Sequence, residues 1–369
     1  MKSSKIKVCH LTSVHPRYDV RIYHKMCKSL IKFNYEVSLI VADGKKDEII
    51  NGIKVYDVGK SKNRLFRIIF APFRVYKKAL SNNSQLYQFH DPELFIVGLM
   101  LKFHGKKIIF DSHEDVPNQM LDNSYLAFFI RYPLSKMIAL LEKIICPRLD
   151  GIVAATPTIR KKFKNTNLVD IKNFPSISQS LILSNKVNSK SICYAGSISK
   201  KRGIMEIVES LHYAESKIRL SLAGNFNQSK LKENVMGSIY WDRVDYFGYL
   251  NRDKIFQMYN ESFAGLVILH PTICYIDSLP IKMFEYMLSG LPVIASNFQL
   301  LREILEGNDC GFCVDPFEPK EIGKAINYLY ENPAKANEMG QNGRKLIEKK
   351  YNWQLEENKL DKFYKSVLK

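Results

Sequence analysis

The sequence of 369 residues contains no apolar run near the roughly 18 residues that a membrane-spanning helix needs. Its first residues, Met1–Lys7, show neither the apolar core nor the small-residue cleavage site of a signal peptide. The seven cysteines, an odd number, are scattered and fit reduced thiols better than a disulfide framework. We therefore expect a cytoplasmic protein without a transmembrane helix.

Two common cofactor motifs are missing or incomplete. No GxGxxG follows the first predicted strand, so the chain lacks a dinucleotide fingerprint. The segment Cys310–Cys313 is a CxxC, but no second pair lies nearby and it falls on a predicted short strand. We interpret this CxxC as coincidence rather than as a zinc or redox site.

Acidic residues are scarce in the first half of the chain. Residues 1–172 hold 30 basic and 15 acidic side chains, whereas the remainder is nearly neutral. Such an excess predicts docking to a polyanion: an anionic membrane surface, a phosphorylated acceptor or nucleic acid. Residues 58–90 carry seven basic groups and no acid, interleaved with apolar side chains, which favours a membrane interface. A core helix with a solvated basic face is the alternative, and Pro72 would interrupt or begin it.

Short β-branched runs alternate with amphipathic helical stretches along the chain, which predicts parallel sheets covered by helices on both faces. The predicted strands cover residues 5–11, 36–41, 53–58, 86–90, 107–112, 151–155, 191–196, 219–224, 244–248, 265–269 and 292–296. The predicted helices cover 22–33, 93–103, 126–145, 203–213, 253–261, 281–289 and 319–331. The fold class is α/β, with two Rossmann-like doubly wound domains facing across a cleft.

The polar stretch 176–191 has few helix or strand signals and is interpreted as the linker between the domains. We expect an N-terminal domain over residues 1–175 and a C-terminal domain over 190–350. The final helix, 353–369, is expected to cross back to the first domain.

In open parallel sheets ligands bind beyond the carboxyl ends of the strands, and polar residues collect there in the first half. The candidates are His15, Asp19, Arg21, His90, Asp91, His113 and Glu114. Two His-acid clusters at neighbouring strand ends make a shared site the favoured interpretation. For the first segment alone, a helix N-cap at Asp19 and a solvated Arg21 is the simpler one. Metal binding suits these residue types, but their spacing matches no metal signature.

In the second half, two loops have features of a phosphate site. The loop after the strand at 191–196 turns at Gly196 and carries Lys200, Lys201 and Arg202. The run 277–296 predicts a loop, a helix with free N-terminal amides and a buried strand. A phosphate at those amides and a ribose at Glu285 would hold a nucleotide. A polar helix face with a solvated Glu285 is the alternative.

With these segments in view, the sequence resembles the bacterial retaining glycosyltransferases of family 4, which have the two-Rossmann GT-B architecture. The resemblance spans essentially the whole chain. It rests on SVHPRYDVRI, QFHDPEL, FDSHEDVP, YAGSISKKRG, DYFGYL and SLPIKMFEYMLSGLPVIAS, in the expected order. The last motif is the most specific to the family.

The resemblance implies that the second domain, 190–350, binds a nucleotide-diphosphate sugar and that the first, 1–175, is the acceptor-side domain. Glu285 would bind the ribose hydroxyls. The other donor-side residues that it implies are Gly196, Arg202 and Lys282, with the amides of Ser278, Leu279 and Pro280, for the diphosphate, and Gly248, Tyr249 and Leu250 near the base. His113 matches the family's histidine beside the transferred sugar. Asp277 stands where the family has the first of two glutamates.

The resemblance also implies a reaction that retains the anomeric configuration. The acceptor would attack from the leaving-group face, and a departing phosphate oxygen would take its proton. No cofactor and no metal is implied, because basic groups and helix dipoles neutralise the leaving diphosphate. The sequence departs from the family at Asp277, which is one methylene shorter than Glu, and at Ser197, where several relatives carry a basic residue.

The expected function is transfer of a hexose-type sugar from a nucleotide sugar to a lipid-linked or oligosaccharide acceptor in O-antigen or capsule-type polysaccharide biosynthesis. The enzyme would act at the cytoplasmic face of the inner membrane. One alternative is a nucleotide-sugar epimerase on the same fold. The other is a non-catalytic binder of anionic surfaces or nucleic acid, and since no nucleic-acid-binding signature is present, we expect no nucleic-acid partner.

Overall fold

The computed structural model describes residues 5–122, 127–163, 167–179 and 189–369. The chain divides into two compact units, which we call unit 1 (Met1–Asn173 with Trp353–Lys369) and unit 2 (Phe174–Asn352). Residues 180–188 of the predicted linker lie outside the described residues, as do residues 123–126, where one helix was predicted to begin.

Unit 1 is built on a largely parallel sheet. Its strands are β1 (Lys7–Leu11), β2 (Glu36–Val41), β3 (Glu48–Ile50), β4 (Ile53–Asp57), β5 (Leu86–Phe89), β6 (Lys107–Ser112), β7 (Gly151–Ala154) and β8 (Leu168–Asp170). The strand order is β3-β4-β2-β1-β5-β6-β7-β8, and only the short edge strand β3 pairs antiparallel. The order reverses between β1 and β5, which pair directly, so a crevice forms beyond their carboxyl ends.

Helices cover this sheet. After a π-helical segment, Val20–Cys27, come α1 (Lys28–Lys32), α2 (Arg64–Asn82), α3 (Phe95–Phe103), α4 (Val116–Asp122), α5 (Phe128–Ile145) and α6 (Pro157–Lys162). The prediction that Pro72 would interrupt or begin a helix is wrong, because α2 runs through it. Buried Ala71, Val75 and Ala79, four residues apart, pack one face of α2 inward, and this packing offsets the hydrogen bond that proline removes.

Unit 2 repeats the design with a fully parallel sheet in the order β11-β10-β9-β12-β13-β14. Its strands are β9 (Ser191–Ala195), β10 (Arg219–Ala223), β11 (Val244–Gly248), β12 (Ala264–Val267), β13 (Val293–Ser296) and β14 (Gly311–Val314). Its helices are α7 (Ile204–Ser210), α8 (Ser229–Met236), α9 (Arg252–Asn260), α10 (Ile281–Leu288), α11 (Gln299–Leu305), α12 (Pro319–Glu331) and α13 (Pro333–Lys349). The order reverses between β9 and β12, and Gly196 follows β9 at that point.

The last helix, α14 (Trp353–Leu368), packs within unit 1. Trp353 Nε1 donates to Ser29 Oγ at 2.8 Å, and Ser29 Oγ donates to Glu357 Oε2 at 2.6 Å. A Cβ at Gly151 of β7 would stand 2.6 Å from the Phe363 ring, so glycine allows this close approach. Among the described residues, no helix is long and apolar enough to cross a membrane.

Candidate functional site

Asp91, directly after β5, organises the loop that follows β1. Its Oδ2 atom accepts hydrogen bonds from the amide of Ser13 at 2.7 Å and from Thr12 Oγ1 at 2.8 Å. Its other oxygen lies 3.4 Å from His15 Nε2. Asp91 is buried, so these bonds supply the partners that a desolvated carboxylate requires. It therefore fixes the position of His15.

Asp19 caps the π-helical segment, because its side chain accepts from the amides of Arg21 and Ile22. The interpretation of Asp19 as an N-cap is thus correct, but that of Arg21 as solvated is wrong. Arg21 is buried and donates to both carboxylate oxygens of Asp111, at 2.7 and 2.9 Å. Burial would raise the pKa of Asp111, but the charge and hydrogen bonds of Arg21 hold it well below its ordinary value.

A line of hydrogen bonds connects α14 to Asp111 through two buried histidines. Tyr364 OH lies 3.4 Å from His10 Nε2, His10 Nδ1 lies 2.9 Å from His90 Nε2, and His90 Nδ1 lies 2.9 Å from Asp111 Oδ2. Burial, followed by the neighbouring His90, lowers the pKa of His10 well below its ordinary value. His90 uses both ring nitrogens for contacts within the protein, to His10 and to Asp111. It therefore holds the network together and has no nitrogen left for a ligand.

His113, directly after β6, is arranged differently. Its Nδ1 atom lies 3.2 Å from the carbonyl oxygen of Asp111, to which it can donate, and its Nε2 atom has no partner among the described residues. Burial lowers the pKa of His113, with the Asp111 carboxylate opposing the shift. The ring stands 4.9 Å from that of His15, between centroids. His113 therefore offers a neutral imidazole with Nε2 available as an acceptor.

A cavity of about 540 Å³ lies in unit 1 beside these residues. His15, His90, Asp91, His113 and Glu114 all line it, so the structure brings these sequence-predicted residues to one place. Glu114 is exposed, whereas Asp91 and His90 are buried. The remaining lining is largely apolar and comes from α2, α3, α4 and α5.

The side chains of His90, Asp111 and His113 approach within 4.8 Å of one another, a spacing that a metal ion could use. However, Arg21 binds both oxygens of Asp111, and both nitrogens of His90 carry hydrogen bonds. A cation would have to displace these bonds and would lie beside a guanidinium. The donor set therefore fits a hydrogen-bonded network better than a metal centre.

In unit 2, three glycines stack at the carboxyl ends of β9, β10 and β11. A Cβ at Gly224 would stand 1.8 Å from the carbonyl oxygen of Gly196, and the amide of Gly224 donates to Gly248 at 2.7 Å. Gly196 and Gly248 have φ of +126° and +63°. Side chains here would close the strand ends, so glycine keeps the backbone accessible.

Lys282, in the first turn of α10, lies next to this turn. Its Nζ atom is buried without a hydrogen-bond partner among the described residues, and stands 3.5 Å from the centroid of the Tyr194 ring. Arg202 lies close by, held by a bond of 3.2 Å to Tyr275 OH. Burial, and next the charge of Arg202, lower the pKa of Lys282 well below its ordinary value of 10.5, while Glu285 and Cys193 oppose the shift.

Two basic side chains, Arg202 and Lys282, converge here, and neither forms an ion pair among the described residues, so together they can bind an anion. Burying an amine without a hydrogen-bond partner costs about 1–3 kcal/mol, and an anionic ligand that accepts a hydrogen bond from Nζ would offset this cost. The combination of Gly196, Arg202 and Lys282 is therefore suited to a phosphate or diphosphate.

Glu285 is buried, so the alternative interpretation, a polar helix face with a solvated Glu285, is wrong. Its Oε1 accepts from Arg252 at 2.6 Å and its Oε2 lies 3.3 Å from Tyr259 OH. Each carboxylate oxygen has a second lone pair for a ligand hydroxyl. The partners Arg252 and Tyr259 come from α9, which sequence reasoning did not connect with the site.

The loop before α10 offers fewer amides than expected. Pro280 has no N–H, and the amide of Ser278 donates to the Tyr275 carbonyl at 3.0 Å within a turn. Leu279, Ile281 and Lys282 retain theirs, whereas the amide of Met283 donates to the Pro280 carbonyl at 3.0 Å. Asp277 and Tyr249 are exposed, and Leu250 is half-buried. The sequence analysis did not identify His10 and Tyr364 as part of the hydrogen-bonded network in unit 1. For His10, the presence of a histidine within the apolar run of β1 was a usable signal.

Comparison with known proteins gives two family matches. The family described as "Glycosyltransferase Family 4" matches residues 20–172, and that described as "Glycosyl transferases group 1" matches residues 180–346. The capsular polysaccharide biosynthesis glycosyltransferase CapM of Staphylococcus aureus is 22% identical, over 98% of both chains. An alpha-D-kanosaminyltransferase of Streptomyces kanamyceticus is 23% identical, over 48% of this chain and 45% of that one.

Solved structures share the fold at low identity. Sucrose-phosphate synthase from Thermosynechococcus elongatus superposes with a TM-score of 0.81 at 16% identity, covering 98% of this chain and 99% of that one. Anabaena HepE in complex with UDP-glucose superposes at 0.76 with 14% identity, covering 98% and 100%. The two Rossmann-like domains predicted from the sequence are thereby confirmed.

Proposed function

The chain belongs to the family 4 glycosyltransferases, and from this premise we propose which sugar transfer it performs. The donor is a nucleotide-diphosphate sugar bound by unit 2. The acceptor is a lipid-linked glycan, in biosynthesis of an O-antigen or capsule type of polysaccharide. The anomeric configuration is retained. The structure of HepE contains UDP-glucose, which supports a nucleotide-diphosphate sugar as the donor. CapM is a glycosyltransferase of capsular polysaccharide biosynthesis, which supports the proposed type of pathway.

The observation that carries the proposal is the unpartnered Nζ of Lys282 beside Arg202. The donor's diphosphate would lie between these two cations and against the backbone at Gly196. Leu279 and the first turn of α10 would add amide donors at the positive end of a helix. Lys282 takes the place of the basic residue that the sequence lacks at Ser197.

Glu285 would accept both ribose hydroxyls, held in place by Arg252 and Tyr259. The base would lie near Gly248, Tyr249 and Leu250, where a Cβ at Gly248 would meet nothing within 4 Å. Asp277 would contact the transferred sugar.

His113 would accept a hydrogen bond from the transferred sugar through its free Nε2, while His15 and Asp91 hold the acceptor side. The acceptor oxygen attacks the anomeric carbon as the bond to the diphosphate breaks, and the leaving phosphate oxygen takes the acceptor's proton. Lys282 and Arg202 neutralise the developing charge. No metal is required, because the cations of the protein perform this role.

A combined binding and turnover experiment tests the proposal. A thermal-shift panel of nucleotides and nucleotide sugars identifies the donor, since a ligand stabilises the folded state by RT ln(1 + [L]/Kd). The stabilising donor is then incubated with and without a lipid-linked glycan, and the product anomer is assigned by NMR. Transfer with retention supports the proposal, whereas conversion of the donor without acceptor would identify an epimerase.

A further inference from the structure

The cavity of unit 1 has a large apolar wall, which a sugar or a nucleotide does not need. From α5, Leu134, Ile138 and Leu141 line it at the i, i+4, i+7 spacing of one helix face. The other apolar lining residues are Val14, Ile68, Pro92, Phe95, Ile96, Phe110, Val116, Met120 and Met137. At about 540 Å³ the cavity is within the roughly 300–1,000 Å³ of small-molecule sites. The apolar part of its lining suits a hydrocarbon chain.

The cavity opens onto the surface. Ile68, Ile96 and Met137 line it and are 43%, 65% and 52% exposed. The helices α2 and α5 present further apolar side chains to solvent: Leu65, Phe66, Ile69, Phe70, Phe73, Phe129 and Ile130. Exposed apolar side chains in this number on two helices are typical of a lipid or protein contact.

Two arginines mark the same cavity with positive charge. Arg64 and Arg67, one turn apart at the start of α2, both line it. Arg67 is paired with Glu93 over 3.3 Å, whereas Arg64 is exposed and has no ion-pair partner among the described residues. Lys60 and Lys62 precede them, and no acid occurs in residues 58–90. Four carboxylates also line the cavity, but Asp91, Glu93 and Asp111 have partners in the protein and Glu114 is exposed. The unpaired Arg64, with Lys60 and Lys62 before it in the chain, therefore favours a ligand with an anionic end.

We propose that this cavity binds the hydrocarbon chain of the lipid-linked acceptor next to its phosphate group, with Arg64 and Arg67 at the phosphate. The inference rests on the proposed function and names the part of the acceptor that unit 1 recognises. His15 and His113 line the same cavity as the two arginines, so the glycan, which follows the phosphate, would extend towards His113. A bilayer surface supplies the same chemistry, but only a single extracted chain fills the cavity.

The test uses farnesyl diphosphate as a monomeric probe, below its micelle concentration, in calorimetric titrations of the full chain. Inorganic diphosphate and farnesol are the comparison ligands. Ile138→Trp fills the cavity, and Leu140→Trp, on the exposed side of α5, is its matched control. We expect Ile138→Trp to weaken probe binding at least about ten-fold and Leu140→Trp to leave it unchanged. Arg64→Gln, at an exposed position, should weaken the probe by about ten-fold and leave farnesol unaffected.

Equal affinity of the probe for both tryptophan variants would overturn the inference, as would binding no tighter than that of inorganic diphosphate. Retained binding of Ile138→Trp to phosphatidylglycerol vesicles is expected, because surface adsorption does not use the cavity. Nucleotide binding is measured on the same variants. A natural chain that binds the nucleotide sugar but not the probe would contradict only the proposal that the cavity binds a lipid. A natural chain that binds no nucleotide sugar would contradict the proposed function itself.

Discussion

His113 Nδ1 lies 3.2 Å from the carbonyl oxygen of Asp111, and the carboxylate of the same Asp111 is held by Arg21. One residue therefore anchors both the loop histidine and the buried network behind it. This anchoring leaves Nε2 of His113 as an acceptor at the cavity wall. It also distinguishes His113 from His90, whose nitrogens are both occupied.

His113→Ala is expected to lower turnover by about 100-fold, because the transferred sugar loses the group that positions it, while donor affinity changes little. His113 belongs to unit 1, whereas the donor's diphosphate is assigned to unit 2. Steady-state kinetics and nucleotide titration separate the two effects. His212→Ala, at an exposed position of unit 2, is the control. Near-full turnover in His113→Ala would remove the role assigned here.

Glu285→Ala should weaken nucleotide binding by about ten-fold to a hundred-fold, because hydrogen bonds to a charged group contribute about 1.5–3 kcal/mol. A 2′-deoxy or 3′-deoxy nucleotide should lose affinity for the natural chain but little more for the variant. Titration of each pair of ligands into each protein forms a double cycle. Additive losses would show that Glu285 does not bind the ribose.

The pKa of Lys282 predicts two opposite pH dependences. The pKa of Lys282 is lowered in the folded protein. At any pH between this lowered value and 10.5, the amine is therefore protonated in the unfolded chain but not in the folded one. Stability of the nucleotide-free protein should therefore rise with pH through that window. A bound diphosphate raises the pKa again, so binding takes up a proton and affinity falls as pH rises.

Calorimetry of the nucleotide sugar in buffers of different ionisation enthalpy measures this uptake directly. A diphosphate diester does not titrate near neutrality, so a signal of up to about one proton would belong to the protein. Lys324→Met, which removes an exposed charge on α12, should keep the uptake. The same uptake in Lys282→Met would contradict the assignment.

Replacing Lys60, Lys62 and Lys77 with Gln should release the protein from anionic vesicles, at about 1 kcal/mol per basic residue near the surface. These side chains are exposed and do not line the cavity, so the acceptor site is left intact. Sedimentation with phosphatidylglycerol vesicles at increasing salt provides the measurement. A triple change at Lys230, Lys232 and Lys324 in unit 2 should have no effect. A natural chain that ignores these vesicles at low salt would refute the membrane contact.

The two sheets could be predicted from the sequence because their central strands are buried, β-branched runs. The edge strands β3 and β8 were not predicted, because a strand of three residues such as Glu48–Ile50 is too short to show a periodic pattern. The continuity of α2 through Pro72 was also unpredictable, because tertiary packing of its inner face decides it.

The candidate residues were found because strand ends in parallel sheets are marked locally by polar side chains. The partners of these residues could not be predicted. Arg21 and Asp111, for example, are 90 residues apart, and no local pattern links them. The same holds for Arg252, which reaches Glu285 from another helix. The sequence thus indicates where a site lies, and long-range packing decides which of its groups remain free for a ligand.

The most direct test of the account is calorimetric titration of the nucleotide sugar into Lys282→Met, with a melting curve of the free variant. Removing an unpartnered buried amine should stabilise the nucleotide-free fold by about 1–3 kcal/mol, or roughly 2–4 °C per kcal/mol. Loss of a charged contact to the diphosphate should weaken binding by about ten-fold to a hundred-fold. A variant that is more stable and binds poorly is the predicted result. A variant that binds the nucleotide sugar as tightly as the natural chain would contradict the donor site described here.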